Sequence, residues 1–186
     1  MCAENRWCTG LEPSYDPVFR ERGAVDSSVI GIRRLGPDEW ATFRRLRLLS
    51  LADAPHAFGA TLAEAQRRTE AGWRALLAGR VQFVATVDGA EVGTIGGLAD
   101  PERDGAHLIS MWVAPGARGT GVGDVLVRAL VDWARGAGYR RVWLEVAEGN
   151  VVAEKLYLRN GFARTGVRSI ISPANPRPEF EMMLEF

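Results

Sequence analysis

The chain has 186 residues, 47% of them hydrophobic and 25% charged, and its formal net charge is zero. This length fits one domain with a substantial core, and a neutral chain lacks the basic field that would draw it to nucleic acid or to an anionic membrane. No apolar run reaches the 18 residues that a membrane span needs. Two cysteines make neither a disulfide scaffold nor a four-ligand zinc site, so we expect a protein without a metal, in the reducing cytoplasm.

The first predicted feature along the chain is an N-terminal segment unlike the rest. Residues 1–28 mix prolines, glycines and charges without periodicity and contain both cysteines, Cys2 and Cys8. They lack the basic start and apolar stretch of a secretory signal. We interpret them as a flexible or loosely docked extension that precedes a single domain over residues 29–186.

The predicted elements of this domain follow from its apolar periodicity. Apolar runs predict strands near residues 29–33, 81–87, 91–98, 107–113, 140–146, 162–171 and 179–186. Helical spacing and capping residues predict helices near 37–49, 62–77, 121–136 and 150–159. The apolar run of 140–146 predicts a strand buried on both faces. Two helices precede three successive strands, so we expect an α/β (α+β type) domain with a mixed sheet rather than a doubly wound fold.

A glycine-rich stretch connects the strand near 107–113 to the next helix. It reads Arg118-Gly119-Thr120-Gly121-Val122-Gly123. The first N–H groups of a helix lack internal partners and carry partial positive charge, and glycines let the backbone approach an anion closely. The stretch therefore predicts a pyrophosphate site, to which Arg118 could add a charged hydrogen bond. The alternative is a glycine-rich start of a helix that binds no ligand.

The spacing of the glycines bears on which phosphate ligand is expected. A dinucleotide fingerprint needs a third glycine where this chain has Asp124, and a nucleotide P-loop needs a lysine followed by serine or threonine, which is absent. Arg118, Gly121 and Gly123 instead match the pattern of arginine or glutamine, two variable residues, glycine, one variable residue, and glycine or alanine. In this stretch the chain resembles the GNAT superfamily of acyl-CoA-dependent N-acyltransferases.

A second group of residues carries the same resemblance. Asn150, Ala153 and Tyr157 are spaced so that they share one face of a helix, and Gly161-Phe162 follows them. GNAT enzymes are similar here, with an asparagine, a small residue, Leu-Tyr and then Gly-Phe. The resemblance covers about residues 29–186, and its specific part lies within 107–162.

The resemblance implies a fold and a donor site. The fold is a single-domain GNAT fold, with a mixed, mostly antiparallel sheet of about seven strands that splays at the CoA cleft and is flanked by four helices. The pantetheine arm of acetyl-CoA is expected along the strand near residues 111–113 and at Asn150, and the pyrophosphate on the glycine loop. The implied acetyl-CoA-binding residues are Met111, Trp112, Val113, Arg118, Gly119, Thr120, Gly121, Val122, Gly123, Asp124, Asn150, Ala153 and Tyr157.

Three residues are candidates for the chemistry of acyl transfer to an amine. The resemblance implies that Tyr157 points at the thioester sulfur, where it could donate to the leaving thiolate. Glu145 is the first candidate base, because a glutamate serves as base at the similar position of ribosomal-protein N-terminal acetyltransferases. His107 is the second, because histidine titrates near neutrality. The alternatives are non-catalytic roles. Tyr157 would be a core tyrosine, Glu145 would form an ion pair with an arginine such as Arg118 or Arg141, and His107 would be a surface histidine.

The acceptor site is expected between the first two helices and the last hairpin, at residues 50–62 and 168–180. Its candidate residues are Asp53, His56, Phe58, Glu179 and Phe180. The leading hypothesis is direct acetyl transfer from acetyl-CoA to a primary amine of a small molecule or peptide, within a ternary complex. The alternative is a non-catalytic domain that binds an acyl-CoA. No nucleic-acid or membrane partner is expected, and a homodimer could form if the C-terminal strand is a sheet edge.

Overall fold

The computed structural model describes residues 29–173 and 175–186. Within them the strands are β1 (Ile30–Arg34), β2 (Val81–Val87), β3 (Ala90–Asp100), β4 (Gly105–Val113), β5 (Arg141–Ala147), β6 (Ala163–Ser172) and β7 (Asn175–Glu185). The α-helices are α1 (Trp40–Asp53), α2 (Leu62–Arg67), α3 (Glu70–Ala78), α4 (Val122–Gly136) and α5 (Val151–Arg159). The predicted N-terminal extension over residues 1–28 lies outside the described residues.

The strands form one sheet in the order β1-β2-β3-β4-β5-β7-β6. Every pairing is antiparallel except that of β4 with β5. This parallel pairing is limited to Gly105–His107 opposite Arg141–Trp143, after which the two strands part. The predicted mixed, mostly antiparallel sheet of seven strands is therefore confirmed, and it opens at its centre between β4 and β5.

The order of the last two strands corrects one prediction. The C-terminal strand β7 is paired on both sides, with β5 and with β6. It is not a sheet edge, so the prediction that it could pair with a second copy was wrong. The edge strands are β1 and β6, and β6 is exposed from Ala163 to Ile170.

The predicted helix over residues 62–77 is divided into α2 and α3. Arg68 takes an extended conformation, with φ −69° and ψ 130°, which ends α2. Thr69 then caps the N-terminus of α3, because its side chain accepts a hydrogen bond from the N–H of Gly72. Threonine favours such cap positions over helix interiors, which explains why the chain bends here. None of the helices in the described residues is both long and apolar enough to cross a membrane.

The sheet packs against helices on both faces, as the helix periodicity requires. On one face, Val122, Leu126 and Leu130 of α4 are fully buried. On the other face, α1 and α3 supply a second cluster that includes Phe43 and Trp73. Such apolar burial is the main stabilising contribution to the fold.

Strand β5 is buried on one face only, contrary to the prediction. Val142, Leu144 and Val146 are buried on the α4 side, whereas Trp143 and Glu145 on the alternate positions are half-buried. An apolar run alone does not reveal this asymmetry. It arises because β4 departs from β5, so that the second face of β5 borders the opening between them.

Candidate active site

A cleft of about 760 Å³ opens where β4 and β5 separate. Side chains from α1, from the α2–α3 segment and from the β6–β7 hairpin enclose it on one side, and α5 borders it on the other. The predicted site residues among its lining are His107, Met111, Glu145, Asn150, Ala153 and Tyr157. The fold therefore brings together both base candidates and the tyrosine.

Strand β4 is irregular beside the cleft. Ser110 has a positive φ of 55°, and the β3–β4 register shifts between Thr94 and Gly96, so Ser110 and Met111 have no partner in β3. This bulge also switches the buried face, since Leu108 packs on the α4 side and Trp112 on the α1 side. A bulge beside an opening leaves main-chain polar groups available to a ligand.

The remaining β4 positions predicted to bind acetyl-CoA, Trp112 and Val113, have polar groups that are engaged within the protein. The indole Nε1 of Trp112 donates to Asp53 at 2.9 Å, and the main-chain carbonyl of Val113 accepts from Arg118 Nε at 3.0 Å. Asp53 also pairs with the guanidinium of Arg118. Trp112 is moreover paired with Thr94 of β3.

The glycine loop ends in an uncapped helix N-terminus. Gly119 and Gly121 have φ values of 80° and 92°, a conformation that side chains of L-residues strain to adopt. The first bond within α4 runs from the N–H of Val125 to the carbonyl of Gly121. The N–H groups of residues 122–124 precede it and have no acceptor in the helix, so they can serve an anion.

The third glycine of the motif has a different cause. A Cβ on Gly123 would lie 3.3 Å from the two δ carbons of Leu156 in α5 and 3.6 Å from Met111 Cε. The glycine therefore allows α4 and α5 to pack closely. The close approach of the backbone to a phosphate, which the motif predicts, therefore depends on Gly119 and Gly121 more than on Gly123.

The side chain of Asp124 holds α4 to α5. Its carboxylate accepts two hydrogen bonds from Arg159, at 2.6 and 2.7 Å, and one from Asn160 at 2.8 Å. The Arg159 guanidinium holds the pKa of Asp124 below its usual range. Asp124 was predicted to bind acetyl-CoA, and it can contact this ligand only through its main chain.

Helix α5 presents two polar groups to the cleft. Asn150 is its N-cap, and the amide oxygen accepts from the N–H of Ala153 at 3.2 Å, which leaves the amide NH₂ as a donor. Tyr157 is 5% exposed, and its ring meets Phe162 edge-on at 5.7 Å. Burial raises the pKa of Tyr157 well above its usual value, so the hydroxyl is protonated and can donate.

The two base candidates are joined in one pair. His107 Nε2 lies 2.7 Å from Glu145 Oε2, and both side chains are about a quarter exposed. The alternative ion pair of Glu145 with Arg118 or Arg141 is wrong, because Arg118 pairs with Asp53 and Arg141 lies 3.6 Å from Glu185. Hydrogen-bonded histidine–carboxylate pairs can accept and hold a proton.

An aromatic ring orients the histidine of this pair. The imidazole of His107 stacks on the indole of Trp143, with ring centroids 3.7 Å apart and planes 5° from parallel. The guanidinium of Arg103 also lies 4.2 Å from the centre of that indole and donates to Glu181 at 2.8 Å. The stack restricts the rotation of the imidazole and so supports its bond to Glu145.

A further carboxylate, Glu179, lines the same end of the cleft. It accepts a hydrogen bond from the hydroxyl of Ser169 at 2.9 Å. Burial raises the pKa of Glu179, and the charge of Glu145 raises it further. Two carboxylates therefore face this end, which favours a cationic amine there.

The other predicted acceptor residues divide between the cleft and elsewhere. Phe58 lines the cleft. Asp53 is bound to Trp112 and Arg118, His56 is exposed and lies outside the lining, and Phe180 is buried in the core on the α4 side. The structure thus contradicts the placement of Asp53, His56 and Phe180 in an acceptor pocket.

Three arginines that the sequence did not single out also line the cleft, namely Arg47, Arg68 and Arg80. In the sequence they resemble the solvated charges of amphipathic helices. Only the packing of α1 and α3 over the sheet shows that they converge. An arginine at an otherwise apolar position, as Arg47 is beside Phe43 and Leu46, is the one signal that could have indicated this.

Comparison with protein families shows that residues 43–162 match the acetyltransferase (GNAT) family. Among curated proteins, streptothricin acetyltransferase of Streptomyces lavendulae is 48% identical over 59 residues, which cover 32% of this chain and 31% of that protein. Probable N-acetyltransferase family 8 member 5 of Mus musculus is 40% identical over 94 residues, covering 48% and 41%. The chain thus spans less than half the length of these two relatives.

Solved structures share the fold. The acetyltransferase of GNAT family from Streptococcus pneumoniae superposes with a TM-score of 0.69 at 20% identity, over 85% of this chain and 99% of that one. Ribosomal-protein-alanine N-acetyltransferase from Brucella melitensis gives a TM-score of 0.67 at 20% identity, over 83% and 99%. At this identity the likeness concerns the fold alone.

Proposed function

The chain belongs to the acetyltransferase (GNAT) family of enzymes, and we propose that it transfers an acetyl group from acetyl-CoA directly to a primary amine within a ternary complex. The observation that carries this proposal is that a hydrogen-bonded His107–Glu145 pair and a protonated Tyr157 line one cleft. Direct transfer needs an acceptor of the amine proton and a donor for the leaving thiolate, and these three residues supply both.

The donor, acetyl-CoA, fits the groups on the α4 and α5 side of the cleft. The pyrophosphate would accept from the N–H groups of residues 122–124, which lack acceptors within α4. The amide NH₂ of Asn150 and the unpaired main chain of Ser110 and Met111 would bind the pantetheine arm. An N–H group pointing into the cleft could also stabilise charge on the thioester oxygen.

The His107–Glu145 pair would act as the general base. An ammonium is not a nucleophile, so a proton must leave the acceptor amine before the nitrogen attacks the thioester carbon. The pair would accept this proton directly or through one water molecule, and a base of this kind contributes about 10²–10⁴-fold to the rate. Glu145 would stabilise the imidazolium while the proton is held.

Tyr157 would serve the leaving group. As the carbon–sulfur bond breaks, negative charge develops on the thiolate, and the tyrosine hydroxyl would donate a hydrogen bond to it. Because burial raises the pKa of Tyr157, we expect this hydrogen bond to form early and full proton transfer to follow only late. The names of the relatives, N-acetyltransferases, support nitrogen as the accepting atom.

A thermal-shift screen and a transfer assay test this function together. Acetyl-CoA and CoA should raise the melting temperature and NAD should not, since a ligand at 100 times its Kd stabilises by about 2.7 kcal/mol. CoA release should then depend on the presence of an amine. If CoA binds but no member of a broad amine panel is acetylated, the alternative, a non-catalytic acyl-CoA-binding domain, is favoured. If CoA does not bind, both are refuted.

A further inference from the structure

We propose that the accepting amine belongs to a molecule that also carries an oxyanion, such as a carboxylate, and that Arg47, Arg80 and Arg68 bind that oxyanion. This inference rests on the proposed transfer to an amine and deepens it, because it names a class of acceptor. It starts from the residues that α1, the segment between α2 and α3 and the start of β2 contribute to the same cleft.

The three arginines come from separate segments but line one cavity. Arg47 lies in α1, Arg68 between α2 and α3, and Arg80 directly before β2. Each guanidinium lies over an aromatic ring. Their distances to the ring centres are 4.4 Å for Arg47 over Phe58, 5.4 Å for Arg80 over Phe43, and 5.6 Å for Arg68 over Trp73.

None of the three guanidinium groups forms an ion pair within 4.0 Å in the described part of the chain. Across residues 29–173 and 175–186, the ion pairs within 4.0 Å include none formed by Arg47, Arg68 or Arg80. Nη1 of Arg47 is buried and has no hydrogen-bond partner among those residues. Glu64 also lines the cleft; its carboxylate accepts from the N–H of Thr61 at 2.9 Å, which lowers its pKa, and the charge of Arg68 lowers that pKa further.

The burial of like charges in this part of the cleft favours the binding of an anion. Burial, and the neighbouring charge of Arg80, lower the pKa of Arg47 to about 10. Burial and the charge of Arg68 lower the pKa of Arg80 as well. Both groups remain cationic at neutral pH, and although Arg80 Nε donates to the carbonyl of Leu76 at 3.0 Å, neither group has a carboxylate partner within 4.0 Å among the residues that the structure describes. Partly buried charges without a counter-ion are costly, and a bound anion would offset this cost. Guanidinium groups bind carboxylate and phosphate through paired hydrogen bonds.

The lining of the cleft therefore carries both signs of charge. Glu145 and Glu179 come from β5 and β7, whereas the arginines come from α1, from the segment between α2 and α3, and from the residue before β2. A neutral or purely cationic amine would satisfy only the carboxylates. A molecule that carries both an amine and an oxyanion satisfies both groups, and its binding would place the nitrogen near the His107–Glu145 pair.

Matched acceptors give a direct test. We would measure kcat/KM for a panel of L-amino acids, each against its own C-terminal amide, and for phosphoethanolamine against ethanolamine. The two arms separate a carboxylate from a phosphate as the recognised oxyanion. We expect the anionic member of at least one pair to be favoured by 10-fold or more. Neutral members acetylated as well as their anionic partners throughout would overturn the inference.

Variants assign the preference to the arginines. Arg47→Gln and Arg80→Gln should each reduce the preference about 10-fold, because KM rises more for the anionic member of a pair than for the neutral one. Arg67→Gln is the matched control, because Arg67 is exposed in α2 and lies outside the lining of the cleft. Equal losses for both members of a pair would indicate a purely structural role and overturn the inference.

A binding measurement covers the case in which no panel amine is a substrate. With CoA present to occupy the glycine loop, succinate and inorganic phosphate should raise the melting temperature of the wild-type protein and of Arg67→Gln. The rise should be lost in Arg47→Gln. If the anions do not stabilise the protein, or stabilise the Arg47→Gln protein equally, the inference fails. An absence of CoA binding would instead refute the proposed function.

Discussion

Nε2 of His107 lies 2.7 Å from Oε2 of Glu145, across the last paired residues of β4 and β5. The contact joins the two candidate bases into one unit at the point where the strands part. With Glu145 ionised, Nε2 carries the hydrogen that makes this bond, so Nδ1 of the neutral ring is left as an acceptor. The pair, rather than either residue, is thus the unit to be tested.

Removal of either member of the pair should slow transfer. Glu145→Gln and His107→Gln should each lower kcat about 10²–10³-fold and leave the Kd for acetyl-CoA within about threefold. Because the residues act together, the double variant should be no slower than the slower single variant. Steady-state kinetics with calorimetric binding of acetyl-CoA measures both. Multiplicative losses in the double variant would show that the residues act independently.

The stack on Trp143 gives a second prediction, for a positioning residue. Trp143→Leu keeps an apolar side chain on β5 but removes the ring that lies 3.7 Å from His107. We expect kcat to fall about 10-fold and the pH profile of kcat to shift, because the imidazole is no longer held against Glu145. Met183 faces Trp143 across the β5–β7 pairing, so Met183→Leu is the control. A lower melting temperature with unchanged kcat would mean that Trp143 only stabilises the fold.

The sequence predicted the parts of the site that depend on local chemistry. The glycine loop could be predicted as an anion-binding helix N-terminus because its positive φ values and its free N–H groups depend on one short stretch, Gly119 to Asp124. Likewise capping residues predicted a helix from residue 150, and the side chain of Asn150 does accept from the N–H of Ala153 at its start. Seven strands in a mixed sheet followed from apolar runs and turn signals.

The parts that could not be predicted depend on contacts between distant segments. Whether Glu145 faced an arginine or a histidine depended on the β4–β5 register, which no local pattern sets. The convergence of Arg47 and Arg80 depended on how α1 and α3 pack over the sheet. The break at Thr69 was missed because no proline or glycine marks it, and because the cap hydrogen bond from the N–H of Gly72 to Thr69 leaves no signal in the apolar pattern.

The glycine loop gives a third prediction, with a control in the same helix. Gly121→Ala forces a side chain onto a residue at φ 92°, which costs about 1–2 kcal/mol and distorts the start of α4. We expect the Kd for CoA to rise at least 10-fold. Gly136→Ala, at the other end of α4, meets no atom within 4 Å and no positive φ, so it should leave Kd unchanged. Equal CoA binding by both variants would remove the loop from the donor site.

Arg47 gives a fourth prediction, for stability. Burial and Arg80 lower the pKa of Arg47 to about 10, so the charged group destabilises the folded state, by about 3 kcal/mol at most. Arg47→Met removes this charge and should therefore raise the free energy of unfolding. Because the contact of Arg47 with Phe58 is lost at the same time, we expect a net gain of only about 1–2 kcal/mol. Denaturant titration at pH 7 measures this, with Arg67→Met as the control.

The pH dependence of that difference has a definite sign. A lowered folded-state pKa means that the destabilisation is full below pH 10 and is relieved as the pH rises above it. The stability of the wild-type protein should thus stay below that of Arg47→Met up to about pH 10 and approach it only as the pH rises further. A variant less stable than wild type at pH 7 would mean that Arg47 is neutralised by a group of the protein itself.

Tyr157 gives the last prediction, in which the pH profile separates two roles. Tyr157→Phe keeps the buried ring against Phe162, so we expect the Kd for acetyl-CoA to stay within about threefold while kcat falls about 10–100-fold. Burial raises the pKa of Tyr157, so the hydroxyl stays protonated throughout the measurable range and adds no loss of rate at high pH. The kcat profiles of the two proteins should therefore have the same shape up to about pH 10. A decline near pH 9 in the wild type that is absent from Tyr157→Phe would instead show that the hydroxyl ionises during turnover and that Tyr157 is not the buried donor proposed here.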